Sequence, residues 1–96
     1  MHHELKIWPQ FFCRVADGSK TFEIRSNDRG YQPGDTVLLR EWNPEETIRR
    51  DEHPLGYDEY KVPRGYTGGQ VSAKIGYIFP LDAGCVVFSL LNVQKI

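Results

Sequence analysis

V-S-A-K-I-G-Y-I-F-P-L-D-A-G-C-V-V-F-S-L-L, residues 71–91, is the stretch that decides the fold class. Val71, Ala73, Ile75, Tyr77 and Phe79 recur with the period of two that a pleated strand requires, which predicts one core-facing row with Tyr77 in it. Pro80 to Gly84 supply a turn. Cys85 to Leu91 follow as a nearly continuous apolar run, the pattern of a central strand buried on both faces. Working towards the N-terminus, Thr36 to Trp42 reads as a further strand with apolar residues on both faces. It is preceded by two turns, Asn27 to Gly30 and Gln32-Pro33-Gly34-Asp35. In the second, proline and then glycine occupy the positions that define a type II turn.

Thr21 to Ser26 is also predicted as a strand. Phe22 and Ile24 are assigned to its core face, Thr21, Glu23 and Arg25 to the polar outer face. Pro9 suits the first position of a helix, Phe11, Phe12, Val15 and Ala16 form one helical face, and Gly18 is a left-handed stop. Trp8 is the only residue at the N-cap position and a poor one. Glu4 to Trp8 reads as a short edge strand. Residues 43–69, with three prolines, four glycines and six of the thirteen acids, are expected to form a long loop, with a local hairpin around Tyr57 to Lys61. One helix and four or so strands joined mainly by turns predict a mixed, mainly β fold. The expected architecture is a small, strongly curved β-barrel with the N-terminal helix packed at its end, closed so that no edge is left open.

Ninety-six residues allow a single domain, 1–96, with one modest core and a shallow site. No apolar run approaches a membrane span, and the N-terminus lacks the apolar segment of a signal peptide. Cys13 and Cys85 have neither zinc nor disulfide-scaffold spacing. They are expected as two buried thiols in a cytoplasmic protein. His2, His3 and His53 likewise offer no metal spacing, so no metal or cofactor is expected. The net charge of −1 hides an asymmetry: residues 41–61 carry a net −4 and the rest of the chain +3. That balance lacks the strong basic excess of a dedicated nucleic-acid binder without excluding one.

The densest polar cluster runs from Gly18 through Ser19, Lys20, Glu23 and Arg25 to Asn27, Asp28 and Arg29. Glu23 and Arg25, at i and i+2 on one strand face, lie about 6.5–7 Å apart. A carboxylate there can accept from an exocyclic amine, and a guanidinium can clamp phosphate or base acceptors. The plain alternative is an ion-paired outer strand face. Lys20 has the parity of Phe22 and Ile24; either the strand starts after it, or its stem crosses the core and its head reaches the rim. Trp8 and Trp42 read as core, Tyr66 as the tyrosine best placed to stack a base.

Gly18-x-Lys20-x-x-Glu23-x-Arg25 resembles the G-x-K-x-x-E-x-R signature of the ASCH domain family, a branch of the PUA-like superfamily. His3-x-Leu5-Lys6, Trp8-Pro9-x-Phe11-Phe12, Glu23-Ile24-Arg25-x-Asn27-Asp28-Arg29, Gly34-Asp35-Thr36 and Tyr66-Thr67-Gly68 extend the likeness to a small ASCH-like family of unknown function found in phages and bacteria. The resemblance implies a PUA-like barrel with a cleft lined by Lys20, Glu23 and Arg25, and RNA as the proposed ligand. It also draws in His3 and Lys6 through the H-x-L-K element. Lys20, Arg25 and Arg29 are then expected on phosphates, Glu23 and Asn27 on a base edge. Another branch of the superfamily deacylates modified cytidine with a threonine three residues after the signature lysine. Glu23 stands at that position here, so an activated hydroxyl is lacking. The expectation is a monomeric binder of RNA or a nucleotide-like ligand. The alternatives are an enzyme on modified cytidine or RNA, such as an amidohydrolase or a ribonuclease, and a protein-interaction module using the acidic 41–61 segment.

Overall fold

The computed structural model describes residues 1–43 and 65–96. Strand β1 is His2–Ile7, helix α1 Pro9–Ala16, β2 Phe22–Ser26, β3 Thr36–Trp42, β4 Tyr66–Pro80 and β5 Cys85–Lys95. The strands form one sheet in the order β1-β3-β4-β5-β2. β1 runs parallel to β3, and the other pairings are antiparallel. The sheet curls into a half-barrel around Val37, Leu39, Val71, Ile75 and Phe88, all buried. Phe12 and Val15 of α1 close the core from one side.

The mainly β class with one N-terminal helix is as expected, but among the described residues the barrel does not close by strand pairing. β1 and β2 remain the two edges of the sheet. β5 lies inside the sheet but beside the edge strand; β4 occupies the centre. The loop expected over 43–69 does not extend over its last four residues, because Tyr66 to Gly69 belong to β4. Trp42 pairs with Tyr66, and the Asn43 N–H donates to the Gly65 carbonyl at 2.7 Å. The hairpin expected around Tyr57 to Lys61 lies outside the described residues.

The alternation of residues 71–79 holds only as far as Ile75. Gly76 and Tyr77 together oppose Ser89, a β-bulge that advances the pleat by one residue. Ile78 therefore packs against the core, while Tyr77, expected there, is 69% exposed. The bulge needs glycine: a Cβ on Gly76 would come within 2.6 Å of Ser89 Oγ. A second bulge puts Asn92 of β5 at a φ of +54°, a conformation asparagine tolerates. Helix α1 spans Pro9–Ala16 as expected, with Gly18 at a φ of +85° after it. Phe11 is nevertheless exposed, since only Phe12, Val15 and Ala16 of the predicted face turn inward. Trp8, also expected in the core, is exposed at the N-cap, and Cys13, on the solvent side of α1, is not the buried thiol expected. No described helix is long and apolar enough to cross a membrane.

The turn before β3 anchors the N-terminal strand. Asp35 N–H donates to the Gln32 carbonyl, and Gly34 takes a φ of +92°, closing the expected type II turn. Asp35 Oδ2 is hydrogen-bonded to His3 Nε2 at 2.8 Å and accepts from Gln32 N–H, while Oδ1 accepts from the Met1 amino group at 3.0 Å. These donors, His3 first, lower the Asp35 pKa from 3.8 to about 2. A depressed carboxylate pKa contributes stability above its ordinary value, and that contribution disappears as the pH falls through the folded-state value. Urea midpoints at pH 5, 4, 3 and 2 should therefore fall steeply below pH 4 for the native chain. Asp35→Asn should be less stable at pH 5 and show a flatter fall.

Candidate functional site

Helix α1 ends in a tight polar turn. Asp17 Oδ1 accepts from both the N–H and the hydroxyl of Ser19, and these bonds hold the Asp17 carboxyl below its ordinary pKa. Lys20 N–H then donates to the Arg14 carbonyl, and Thr21 accepts from Leu90 N–H as the chain enters β2. This path fixes Lys20 just before the strand and turns its ammonium back onto it. Nζ donates to the Phe22 carbonyl and to Glu23 Oε1, both at 2.6 Å.

The faces of β2 are the reverse of those expected from its hydrophobicity. Glu23 is 4% exposed, whereas Phe22 and Ile24 are 42% and 54% exposed. An ionised carboxylate is buried only when it is paired. Glu23 is paired twice: its Oε2 also accepts from Arg25 Nε at 3.0 Å and lies 2.9 Å from the terminal nitrogen Nη2. Arg25 then crosses the gap between the sheet edges, donating from Nη2 to the Lys6 carbonyl of β1 at 2.8 Å. Arg29 makes a second crossing, to the Glu4 carbonyl at 3.0 Å. Guanidinium-to-carbonyl bonds thus do at this seam what a main-chain ladder does between the other strands.

Two cavities open along the seam. The first, about 520 Å³, is walled by Trp8, Phe11, Phe22 and Ile24, with Lys20, Glu23, Arg25 and Lys6 supplying its polar groups. Trp8 and Phe11 are stacked 6.4 Å apart, and Lys20 Nζ lies 5.8 Å and 4.9 Å from the Phe11 and Phe22 rings. The second, about 480 Å³, is polar and includes Lys6, Arg25, Arg29, Arg40, Glu4 and Asp28 with Tyr31 and Tyr66. Burial raises the Tyr31 pKa, with Arg25 and Arg29 acting against it. Arg40 Cζ sits 4.0 Å from the centre of the Tyr66 ring; Lys6 Nζ lies 4.8 Å from that of Trp42 and 5.9 Å from that of Tyr66. Arg40 Nε is buried without a hydrogen-bond acceptor among the described residues, a situation that ordinarily costs about 1–3 kcal/mol.

Of the residues singled out from sequence, Lys6, Lys20, Glu23 and Arg25 meet in the first cavity, and Lys6, Arg25, Arg29 and Tyr66 in the second. Asn27 lines neither: its Oδ1 accepts from Tyr31 N–H inside a turn. His3 faces the core, against Asp35 and edge-on to Tyr31. Arg40 was not anticipated. Its one sequence signal is a cation directly after the apolar run Val37-Leu38-Leu39. Trp8, Phe11 and Phe22 were missed as cavity walls because apolar residues are read as core.

A model of the family described as domain of unknown function DUF3850 matches residues 2–90. The chain belongs to the DUF3850 family. It is also 45% identical over 40 residues to an uncharacterized 12.9 kDa protein from the GpA 3′ region of Escherichia phage P2. That match spans 42% of this chain and 37% of the relative, so little over a third of the phage protein's length is covered. The family match includes the whole seam: β1, the Lys20-Glu23-Arg25 cluster, Arg29 and Arg40.

Reversed faces reverse the expected mutational pattern on β2. Glu23→Ala removes the anion shared by two cations and should cost about 1–3 kcal/mol in denaturant unfolding. Phe22→Ala and Ile24→Ala, on exposed positions, should each cost under about 1 kcal/mol. The opposite ranking would mean that Phe22 and Ile24 belong to the core.

Proposed function

We propose that the seam between β1 and β2 binds a nucleotide-like ligand, with single-stranded RNA as its polymeric form. The observation that carries this reading is the first cavity's composition. A buried carboxylate held by two cations lies beside an open wall of aromatic rings. Aromatic faces stack on any base, and a fixed carboxylate accepts from the exocyclic amine that a base edge presents. Each Glu23 oxygen is bonded on the protein side yet keeps capacity for a further donor. The ASCH-type signature Gly18-x-Lys20-x-x-Glu23-x-Arg25 supports the same reading, as does a strongly curved β-sheet with one N-terminal helix, which suits a PUA-like domain. Binding is favoured over acyl transfer because Lys20 is hydrogen-bonded to a carboxylate and to a carbonyl rather than to a hydroxyl.

A shallow site on a small domain predicts weak affinity. Titrating single-stranded RNA against Trp fluorescence at low salt should give a Kd in the micromolar range or above. With about three phosphate contacts, the log–log salt slope should be near 2, at roughly 0.7 per contact. Glu23→Gln should weaken binding by about 1–3 kcal/mol, the worth of a good base-edge contact. Folded protein that binds neither RNA nor any nucleoside at low salt would remove the reading.

A further inference from the structure

The second cavity has a composition that the base-edge role of Glu23 does not account for. Lys6 and Arg40 are direct register partners on β1 and β3, so their side chains leave the sheet side by side on one face. Like charges placed directly opposite each other on neighbouring strands repel. Among the described residues neither has a carboxylate partner, and neither does Arg29. The acids near them do not compensate: Glu41 accepts from the Thr67 hydroxyl, and Glu4 and Asp28 line the cavity without an ion pair to any of the three. Arg29 spends one N–H on the Glu4 carbonyl and keeps the rest of its fork. Arg40 Cζ lies 4.0 Å from the centre of the Tyr66 ring, and its buried Nε has no acceptor among the described residues. Rings that hold cations in place without neutralising them leave a preorganised site for an anion.

We infer that this cavity is a phosphate site, formed by Lys6, Arg29 and Arg40, and that it takes the phosphate of the nucleotide whose base enters the first cavity. The inference rests on the nucleotide-binding reading given above. It moves the phosphate contacts away from Lys20, whose ammonium is committed to Glu23 and to the Phe22 carbonyl. The two cavities share Lys6 and Arg25 as lining residues, so one ligand can occupy both. Planar guanidinium forks match the oxygens of a phosphate, and Lys6 adds a point charge.

The test titrates the four nucleosides and their 5′-monophosphates, and separately inorganic phosphate, into the native chain, Arg40→Gln and Arg40→Lys, each checked for folding by circular dichroism. The native chain should bind at least one monophosphate about tenfold or more tighter than its nucleoside. Arg40→Gln should erase that preference while leaving nucleoside affinity within about twofold, and Arg40→Lys should keep part of it. Inorganic phosphate should raise the Tm of the native chain and not that of Arg40→Gln. Should Arg40→Gln fail to fold, Arg29→Gln, at a residue that lines the second cavity and not the first, replaces it with the same expected losses. If nucleosides bind and phosphate adds nothing in any variant, the phosphate site is overturned and the base site stands. If inorganic phosphate stabilises through Arg40 while no nucleoside binds, the anion site stands for free phosphate and the nucleotide reading falls. Equal phosphate effects in all variants mean general ionic screening and overturn the site.

Discussion

Glu23 is the group around which the seam is organised. A carboxylate in so small a domain loses most of its hydration, and that loss is offset only by close, directed cations. Lys20 and Arg25 provide them from either side of it in sequence, at 2.6 Å and 2.9 Å. Arg25 then carries the interaction across to the Lys6 carbonyl, tying β2 to β1. One buried charge thereby fixes the turn after α1, the facing of β2 and the distance between the two sheet edges.

An open seam has a structural consequence. A closed barrel satisfies edge groups with main-chain partners and leaves little room for a ligand. Here two arginines span the gap, and both cavities include at least one of them in their lining. The walls of the two cavities differ for the same reason. Near α1, Trp8 and Phe11 flank the opening and the surface is aromatic. Towards the turn that carries Asp28 and Arg29, the walls come from β1, β3 and the start of β4, and cations dominate. The net +3 of the chain outside residues 41–61 is concentrated in part on this line. A small charge total still gives a locally cationic groove when several cations converge on one line.

The opposite end of β1 is held by different chemistry. Asp35 binds His3 and the Met1 amino group, and His3 packs edge-on against Tyr31, which in turn meets Phe88. This gives His3, within the H-x-L-K element, a role without lining either cavity. It registers β1 on β3, and that register is what brings Lys6 beside Arg40. Asn27 acts comparably, by bonding Tyr31 N–H and shaping the turn from which Arg29 reaches back to Glu4.

Local chemistry was legible in the sequence wherever a residue's own constraints decide its conformation. Pro9 and Gly18 delimit α1, Pro33 and Gly34 set the turn, and Thr36 to Trp42 is a strand, because each depends on backbone geometry or short-range periodicity. The cluster Lys20, Glu23, Arg25 could be named because its members are close in sequence. Facing on β2 could not be read. Hydrophobicity assigns Phe22 and Ile24 inward, but β2 is an edge strand whose inner side meets an arginine-bridged gap rather than apolar packing. Pairing with two cations outweighs the burial of two apolar side chains there. Tyr77 left the core for a related reason: a bulge opposite Ser89 is a property of the β4–β5 pair, invisible in β4 alone. Arg40 gained its place only through register with Lys6, 34 positions earlier in the chain. What lies within a few residues was written in the sequence; which charges share a groove was decided by strand order and register.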